Sequence, residues 1–152
     1  MWQYNTAVTW KSGKTGSLRA EGKPDVAVAT PPEFGGPPAV WTPEDLLTGA
    51  VASCVMTSFL FFAEKAGVNL VSYESRGTGT MEKTPKGLAV TGVKIEVTLG
   101  ITEAGQELAV RKAMDRAEQT CPISQSLACP VEVVVSVHVV QGGRDEYLGE
   151  LS

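Results

Sequence analysis

The sequence contains little histidine and little cysteine, and this scarcity limits the metal chemistry open to it. Its 152 residues include one histidine, His138, and three cysteines, Cys54, Cys121 and Cys129, without a C-x2-C pair. A structural zinc site needs four such ligands at short spacings, so we expect no bound metal. His138 alternates with valines, and we interpret it as a half-exposed strand residue without a functional role.

An excess of positive charge and the motifs of several enzyme classes are also missing. The formal net charge is −4 at pH 7, so nucleic acid is not an expected partner. No G-x-S-x-G sequence of a serine hydrolase occurs. The glycines at 35–36 and 77–79 lack the strand–loop–helix setting of a nucleotide site. We therefore expect the protein to work without a bound cofactor.

The chain shows neither a signal peptide nor a clear membrane span. Its first residues lack a basic stretch followed by an apolar one, and an odd number of unclustered cysteines favours the reducing cytoplasm. Residues 46–63 are 18 positions without a charge, which is the lower limit of a membrane span. Because this stretch contains Ser and Thr and has charged flanks, we interpret it as a buried helix and expect no membrane partner.

Apolar periodicity and turn residues predict an α+β protein with the element order βββ-α-ββ-α-β. The predicted strands cover residues 3–10, 17–21, 25–30, 68–81, 88–100 and 131–140, and the predicted helices cover about 42–66 and 102–120, followed by a short turn at 123–128. Prolines and glycines at 30–38 predict an irregular loop. We expect one domain over residues 1–152, with a frayed polar tail from about residue 141.

The start of the first helix is marked by several residues in a row. Thr42 can cap it, Pro43 suits its first position, and the acids Glu44 and Asp45 favour the positive end of the helix dipole. Gly67 is a usual residue after a helix end.

Cys54 lies inside the uncharged helix, and two interpretations are open for it. A free cysteine in such a position is often a small buried hydrophobe. Apolar burial raises a thiol pKa and makes the group unreactive. If Cys54 is reactive, a positive group must therefore reach it.

Cys121 lies where the second helix ends, directly before Pro122. The end of the preceding helix disfavours a thiolate, whereas the cap of a following turn favours one, and the sequence does not choose between these. Sixty-six residues separate Cys121 from Cys54, so only the fold can bring the two sulfurs together. We interpret Cys129 as a structural residue.

Four segments, taken in order, carry a resemblance to a known family: PPEFGG at 31–36, TPEDLL at 42–47, ASC at 52–54 and EQTCPIS at 118–124. Together they resemble the OsmC/Ohr family of osmotically inducible and organic-hydroperoxide-resistance proteins. A Pro-Glu-x-Leu helix start with a cysteine ten residues after the glutamate, and a second cysteine in a Thr-Cys-Pro-Ile-Ser setting, is the family's pattern. The resemblance spans roughly residues 7–140.

The resemblance implies both an architecture and an activity. It implies an intertwined homodimer whose long central helices pack on curved antiparallel sheets. It also implies a thiol peroxidase of the antioxidant stress response that reduces organic hydroperoxides with an external dithiol. On this basis Cys54 becomes a sulfenic acid and Cys121 resolves it as a disulfide, which agrees with general thiol chemistry.

The residues that would activate Cys54 match the family less well. Hydroperoxide-resistance members carry an arginine in the glycine-rich turn after the first strand. Here that turn, residues 11–16, contains Lys14, and Arg19 follows it; either cation is a candidate. Glu44 matches the glutamate that orients the arginine, although it also suits a helix start. Ten residues of straight helix span about 15 Å, which favours a site shared between subunits.

These departures, with Thr42 where hydroperoxide-resistance members usually have asparagine, indicate a general OsmC-like branch. Two alternatives therefore stay open: a non-catalytic dimer that binds an apolar small molecule, and a redox sensor that uses the same cysteine pair. Apolar side chains near Cys54 could line a substrate pocket, although core packing is the expected use of most: Met56, Phe59, Phe61 and Phe62.

Overall fold

The computed structural model describes residues 1–141 and 144–151. The chain divides into two compact units, Met1–Leu47 and Thr48–Ser152. The α+β class predicted from the sequence is confirmed.

The first unit contains a three-stranded antiparallel sheet in the order β1-β2-β3. Its strands are β1 (Ala7–Ser12), β2 (Thr15–Arg19) and β3 (Val26–Ala29). Gly13 connects β1 to β2 at φ 52°, a left-handed conformation that glycine adopts without strain. The stretch at 30–38, predicted to be irregular, contains one turn of 3-10 helix at Pro32–Phe34.

The long helix α1 (Pro43–Lys65) begins with a reciprocal cap. Thr42 Oγ1 accepts a hydrogen bond from the Asp45 N–H at 3.1 Å, and Asp45 Oδ2 accepts one from the Thr42 N–H at 3.0 Å. Each side chain satisfies a donor that the helix itself leaves unpaired. Gly67 follows the helix at φ 67°. The predicted start and end of this helix are therefore confirmed.

The second unit contains a four-stranded sheet in the order β4-β5-β6-β7. Its strands are β4 (Leu70–Thr84), β5 (Gly87–Ile101), β6 (Val131–Gln141) and β7 (Arg144–Leu151). β5 and β6 pair in parallel, whereas the other two ladders are antiparallel. The ladders are therefore antiparallel as expected except at this pair, which the expectation of antiparallel sheets did not include. The chain between β5 and β6 contains α2 (Glu107–Thr120) and α3 (Pro122–Gln125), and such a crossover joins parallel strands.

The frayed tail expected from residue 141 was also wrong, because this part of the chain forms β7 along β6. Main-chain hydrogen bonds hold an edge strand whatever its side chains are, so a polar sequence does not prevent pairing. The rings of Tyr147 and His138, which are cross-strand partners, lie 5.1 Å apart between centroids.

The core of the second unit lies between one face of the sheet and the helices α1 and α2. Every second residue of β5 and β6 points into it, as the strand period of two requires. The helices contribute residues at helical spacing. These buried side chains are Val93, Ile95, Val97, Leu99, Ile101, Val133, Val135, Val137 and Val139 from the strands, and Val51, Val55, Phe59, Ala63, Val110, Ala113, Met114 and Ala117 from the helices.

Two glycines of β4 let α1 approach the sheet closely. A Cβ placed on Gly77 would lie 3.0 Å from Thr48 Cγ2, and one placed on Gly79 would collide with Thr48 Oγ1. The absence of a side chain at these positions therefore serves helix–sheet packing.

One side of α1 remains exposed within the chain. By length and composition alone, α1 could cross a membrane, with a mean hydropathy of 1.9 over an 18-residue window of which 22% is buried. The core helix of a soluble protein can pass the same test, so this is weak evidence for a span. We expected this helix to be buried, and the side of α1 that carries Phe59 is buried. On the other side, Leu60 and Phe61 are 38% and 52% exposed.

Candidate functional site

Cys54 lies on the half-buried flank of α1, next to the core residue Val55. Its Sγ is 3.9 Å from the Ser58 hydroxyl, one helical turn further on. Residues four apart on a helix share a face, so α1 places this hydroxyl beside the thiol. Cys54 is free and partly open to solvent.

Cys121 is the single residue that joins α2 to α3. It is the C-terminal cap residue of α2 and the N-terminal cap residue of α3, with φ −59° and ψ 111°. Its sulfur accepts hydrogen bonds from the Ser124 N–H at 3.5 Å and from the Ser124 hydroxyl at 3.3 Å. The structure thus answers the question that the sequence left open: the Cys121 sulfur faces the start of the following helix.

The fold brings Cys54 and Cys121 together across the 66 residues between them. Each thiol shifts the pKa of the other, and the backbone of Ile123, at the start of α3, lowers both pKa values. Both cysteines are free thiols. The first turn of α3 is therefore where the two sulfurs meet.

The two thiols differ in acidity. Burial raises the pKa of Cys54, and its interaction with Cys121 raises it further. Burial also raises the pKa of Cys121, but its interaction with Cys54 and the two hydrogen bonds from Ser124 outweigh this and lower it overall. Since a sulfur that accepts hydrogen bonds is stabilised as a thiolate, Cys121 is the more acidic member of the pair.

Cys129 and His138 lie apart from the pair formed by Cys54 and Cys121 in the sequence, and their structural role stays a prediction. Cys129 is half-buried and packs against the core, and His138 is half-buried on β6. Within residues 1–141 and 144–151, no group of three or more His, Cys, Asp or Glu side chains is arranged to hold a metal ion.

The predicted activating residues belong to the Met1–Leu47 unit, whereas both thiols belong to the other unit. Glu44 is half-buried in the first turn of α1, with its Oε2 shielded from solvent. Arg19 donates a hydrogen bond to Thr9 Oγ1 at 2.9 Å. Lys14 Nζ donates to the Phe34 carbonyl at 2.6 Å and so ties the β1–β2 turn to the proline-rich loop. Their action on Cys54 stays a prediction.

The aromatic residues near Cys54 on α1 have different environments. Phe59 is fully buried and packs against Tyr73, with ring centroids 5.7 Å apart. Phe62 is half-buried beneath the Arg116 guanidinium, 4.9 Å from its ring centroid, and Phe61 is exposed. Met56 is half-buried. Phe59 therefore belongs to the core, as we expected for most of this group.

A cavity of about 430 Å³ opens beside the meeting point of the thiols. Its walls contain Val55, the neighbour of Cys54, and Ser124, the partner of Cys121, together with Glu118, Gln119, Gln125, Leu127, Val131 and Val133. Burial, and then the nearby Asp115 carboxylate, raise the pKa of Glu118. The cavity thus has both apolar and polar walls, and it contains a carboxyl group that holds its proton more tightly than usual.

Sequence reasoning missed Ser58, Glu118 and Ser124. Ser58 follows Cys54 by four positions in a predicted helix, a spacing that places both on one face. Ser124 follows Cys121 by three, the spacing of an N-cap residue and its third helical residue. Both signals were present, but the capping spacing has meaning only once Cys121 is known to begin a helix.

Comparison with known proteins gives the family. Residues 36–136 match the family model of OsmC-like proteins, which is more than half of the chain. The chain therefore belongs to the OsmC family. Among curated proteins, no sequence matches it significantly.

Solved structures share the fold at low sequence identity. An OsmC-like protein of unknown function from Vibrio cholerae is 22% identical, with a TM-score of 0.80 over 89% of this chain and 99% of that chain. The organic hydroperoxide resistance protein OsmC from Legionella pneumophila is 24% identical, with a TM-score of 0.69 over 90% and 98%. An organic hydroperoxide resistance protein from Elizabethkingia anophelis is 17% identical, with a TM-score of 0.68 over 90% and 96%. At these identities the likeness establishes the fold alone.

Proposed function

We propose that this OsmC-family protein is a thiol-dependent peroxidase that reduces organic hydroperoxides through Cys54 and Cys121. The observation that carries the proposal is the meeting of two free thiols of unequal exposure at the start of α3. Cys54 is partly open to solvent, whereas Cys121 is 0% exposed. An external peroxide can therefore approach Cys54 first. The names of the Legionella and Elizabethkingia proteins support the same substrate class.

The proposed reaction has three steps. The Cys54 thiolate attacks the distal oxygen of the hydroperoxide, the O–O bond breaks, and the departing alkoxide takes a proton to become an alcohol. The Cys121 thiolate then attacks the Cys54 sulfenic acid, which forms the disulfide and releases hydroxide, protonated to water. An external dithiol reduces this disulfide by exchange, is itself oxidised to a disulfide, and returns both cysteines to thiols.

Activation of Cys54 needs a cation, because burial raises the pKa of this thiol. We propose that Glu44 orients Arg19 or Lys14 towards Cys54, as the family resemblance implies. An opposite charge within a few ångströms lowers a thiol pKa. We propose that a second subunit supplies Glu44 and the cation, so that the site around Cys54 lies between two subunits.

A homodimer is the assembly that we propose. The exposed side of α1 repeats at helical spacing through Ser53, Thr57, Leu60, Phe61 and Glu64. This side exposes the large apolar side chains Leu60 and Phe61, which supports burial against a second copy. The low cysteine content, without a disulfide scaffold, supports a cytoplasmic setting where thiols stay reduced.

The test is steady-state consumption of cumene hydroperoxide with excess dithiothreitol. We expect turnover by the parent protein, its loss in Cys54→Ser, a strong reduction in Cys121→Ser, and full retention in Cys129→Ser, which serves as the matched control. Equal, slow consumption by all four proteins would contradict the enzyme and favour a small-molecule binder that uses the cavity near Val55. A single oxidation without turnover would favour a redox sensor.

A further inference from the structure

The Cys121 thiolate depends on hydrogen-bond donors supplied by the protein. Its side chain is 0% exposed, so solvent does not stabilise a negative charge on its sulfur. Burial alone would therefore keep Cys121 as a neutral, unreactive thiol. Resolution of a sulfenic acid needs a thiolate. The protein itself must supply the stabilising donors.

Ser124 supplies two such donors from a single residue. Its N–H lies 3.5 Å from the Cys121 sulfur and its hydroxyl 3.3 Å. Pro122 begins α3, and its fixed φ helps to set the turn that points both groups back at the sulfur. The comparable hydroxyl at Cys54, that of Ser58, is more distant at 3.9 Å. Cys121 therefore has more hydrogen-bond donors, at shorter distances, than Cys54 has. These donors favour a negative charge on the Cys121 sulfur.

We propose that Ser124 is the positioning residue of the resolving step: it fixes the Cys121 sulfur beside Cys54 and stabilises it as the thiolate that attacks the sulfenic acid. This rests on the proposed peroxidase function. The attacking sulfur forms the S–S bond while the sulfenic oxygen leaves as hydroxide and is protonated. Fast resolution matters because an unresolved sulfenic acid is oxidised further and irreversibly.

The first arm of the test measures the Cys121 thiolate without any peroxide. In a Cys54→Ser, Cys129→Ser background, thiolate absorbance near 240 nm is followed against pH. We expect Ser124→Ala to raise the Cys121 midpoint by about one pH unit, the usual effect of one hydrogen bond to a charged group. Ser124→Thr should restore the parent value, because it keeps the hydroxyl.

Ser126→Ala is the matched control, since Ser126 lies in the same turn but its hydroxyl donates to the Pro122 carbonyl at 2.8 Å. It should leave the Cys121 midpoint unchanged. An unchanged midpoint in Ser124→Ala would overturn the proposal, and so would an equal shift in Ser126→Ala, because that shift would report a loosened α3 rather than a lost donor.

The second arm measures resolution in the protein with all three cysteines. After one equivalent of cumene hydroperoxide at pH 7, disulfide formation in Ser124→Ala should be about threefold slower than in the parent. A tenfold smaller thiolate fraction is partly offset by the greater nucleophilicity of a more basic thiolate. The rate of sulfenic acid formation should not fall, and Ser124→Thr should recover the parent rate of disulfide formation.

The two arms separate the two claims. If the parent never forms a sulfenic acid but the midpoint still shifts in the first arm, the peroxidase function fails while the effect of Ser124 on the thiolate stands. Normal resolution in Ser124→Ala, with the parent active, would overturn the role of Ser124 and leave the peroxidase intact.

Discussion

Cys54 and Cys121 shift each other's pKa although 66 residues separate them in the chain. α1 holds the first thiol at the edge of the core, and the break between α2 and α3 holds the second. The interaction raises the pKa of Cys54 and lowers that of Cys121. In the reduced protein the two thiols therefore differ in pKa, and the buried Cys121 is the more acidic of the two.

This interaction predicts how Cys54 responds to the loss of its neighbour. Burial is the largest cause of its raised pKa, and Cys121 adds to it, so Cys121→Ala should move the alkylation profile of Cys54 to lower pH. Measured by mass spectrometry of iodoacetamide-treated protein, the Cys54 midpoint in Cys121→Ala should lie below that of the parent, because Cys121 raises the pKa of Cys54. Cys129→Ser should leave the profile in place. An unchanged or higher midpoint in Cys121→Ala would contradict this interaction between the two thiols.

The contact between Gly79 and Thr48 predicts a specific steric cost. Gly79→Ala should destabilise the protein by about 1–3 kcal/mol in urea unfolding, because its methyl group would collide with Thr48 Oγ1. Thr48→Ala should recover much of this loss in the double variant, as a double-mutant cycle would show. Gly105→Ala is the control, since a Cβ there meets nothing within 4 Å. Equal costs at both glycines would argue against close helix–sheet packing.

Glu118 should make stability depend on pH. Its raised pKa means that the folded state holds the proton more tightly than the unfolded state does, so this stabilisation is present below the unfolded value of about 4.5 and is lost as pH rises through the folded value. Glu118→Gln should therefore raise the melting temperature at pH 7 and have little effect at pH 4. The gain should be under about 1 kcal/mol, because solvent screens a half-exposed carboxylate.

The exposed Glu132→Gln on β6 is the matched control for Glu118→Gln, since it removes the same charge. Its melting temperature should follow that of the parent at both pH values. An effect of Glu118→Gln that grows towards acid pH would show that the sign assigned to its pKa shift is wrong.

The open side of α1 predicts the outcome of a test of assembly. In size-exclusion chromatography with light scattering, the parent should have twice the 16.0 kDa mass of one chain. Phe61→Glu should shift it towards the monomer, because a charge on an apolar contact surface opposes burial. Leu88→Glu should not, although Leu88 is similarly exposed at 54%. A monomeric parent would remove the proposed intersubunit site.

The parts of the fold that depend on local chemistry could be predicted from the sequence. The cap at Thr42, the length of α1 and its end at Gly67 follow from the residues present. The strands predicted at 88–100 and 131–140 correspond to β5 and β6. The parallel pairing of these strands and the addition of β7 were missed, because backbone hydrogen bonding between distant segments leaves little trace in side-chain pattern.

The site was predictable only in part, for the same reason. Motif spacing identified Cys54 and Cys121 as candidates through family resemblance, but their meeting depends on how α1 lies against the α2–α3 break. The acidity of Cys121 required the direction of its sulfur, which no sequence pattern gives. Glu44, Arg19 and Lys14 stay candidates because their positions in the chain do not determine which charge reaches Cys54.

The most direct test of the central claim, that Cys54 and Cys121 form one redox pair, is peptide mapping after one equivalent of cumene hydroperoxide. The reduced parent protein is oxidised without added dithiol, its remaining thiols are blocked, and its peptides are identified by mass spectrometry. We predict a single disulfide joining Cys54 to Cys121, with Cys129 recovered as the blocked thiol. A stable sulfinic acid on Cys54, or a disulfide that includes Cys129, would contradict the account.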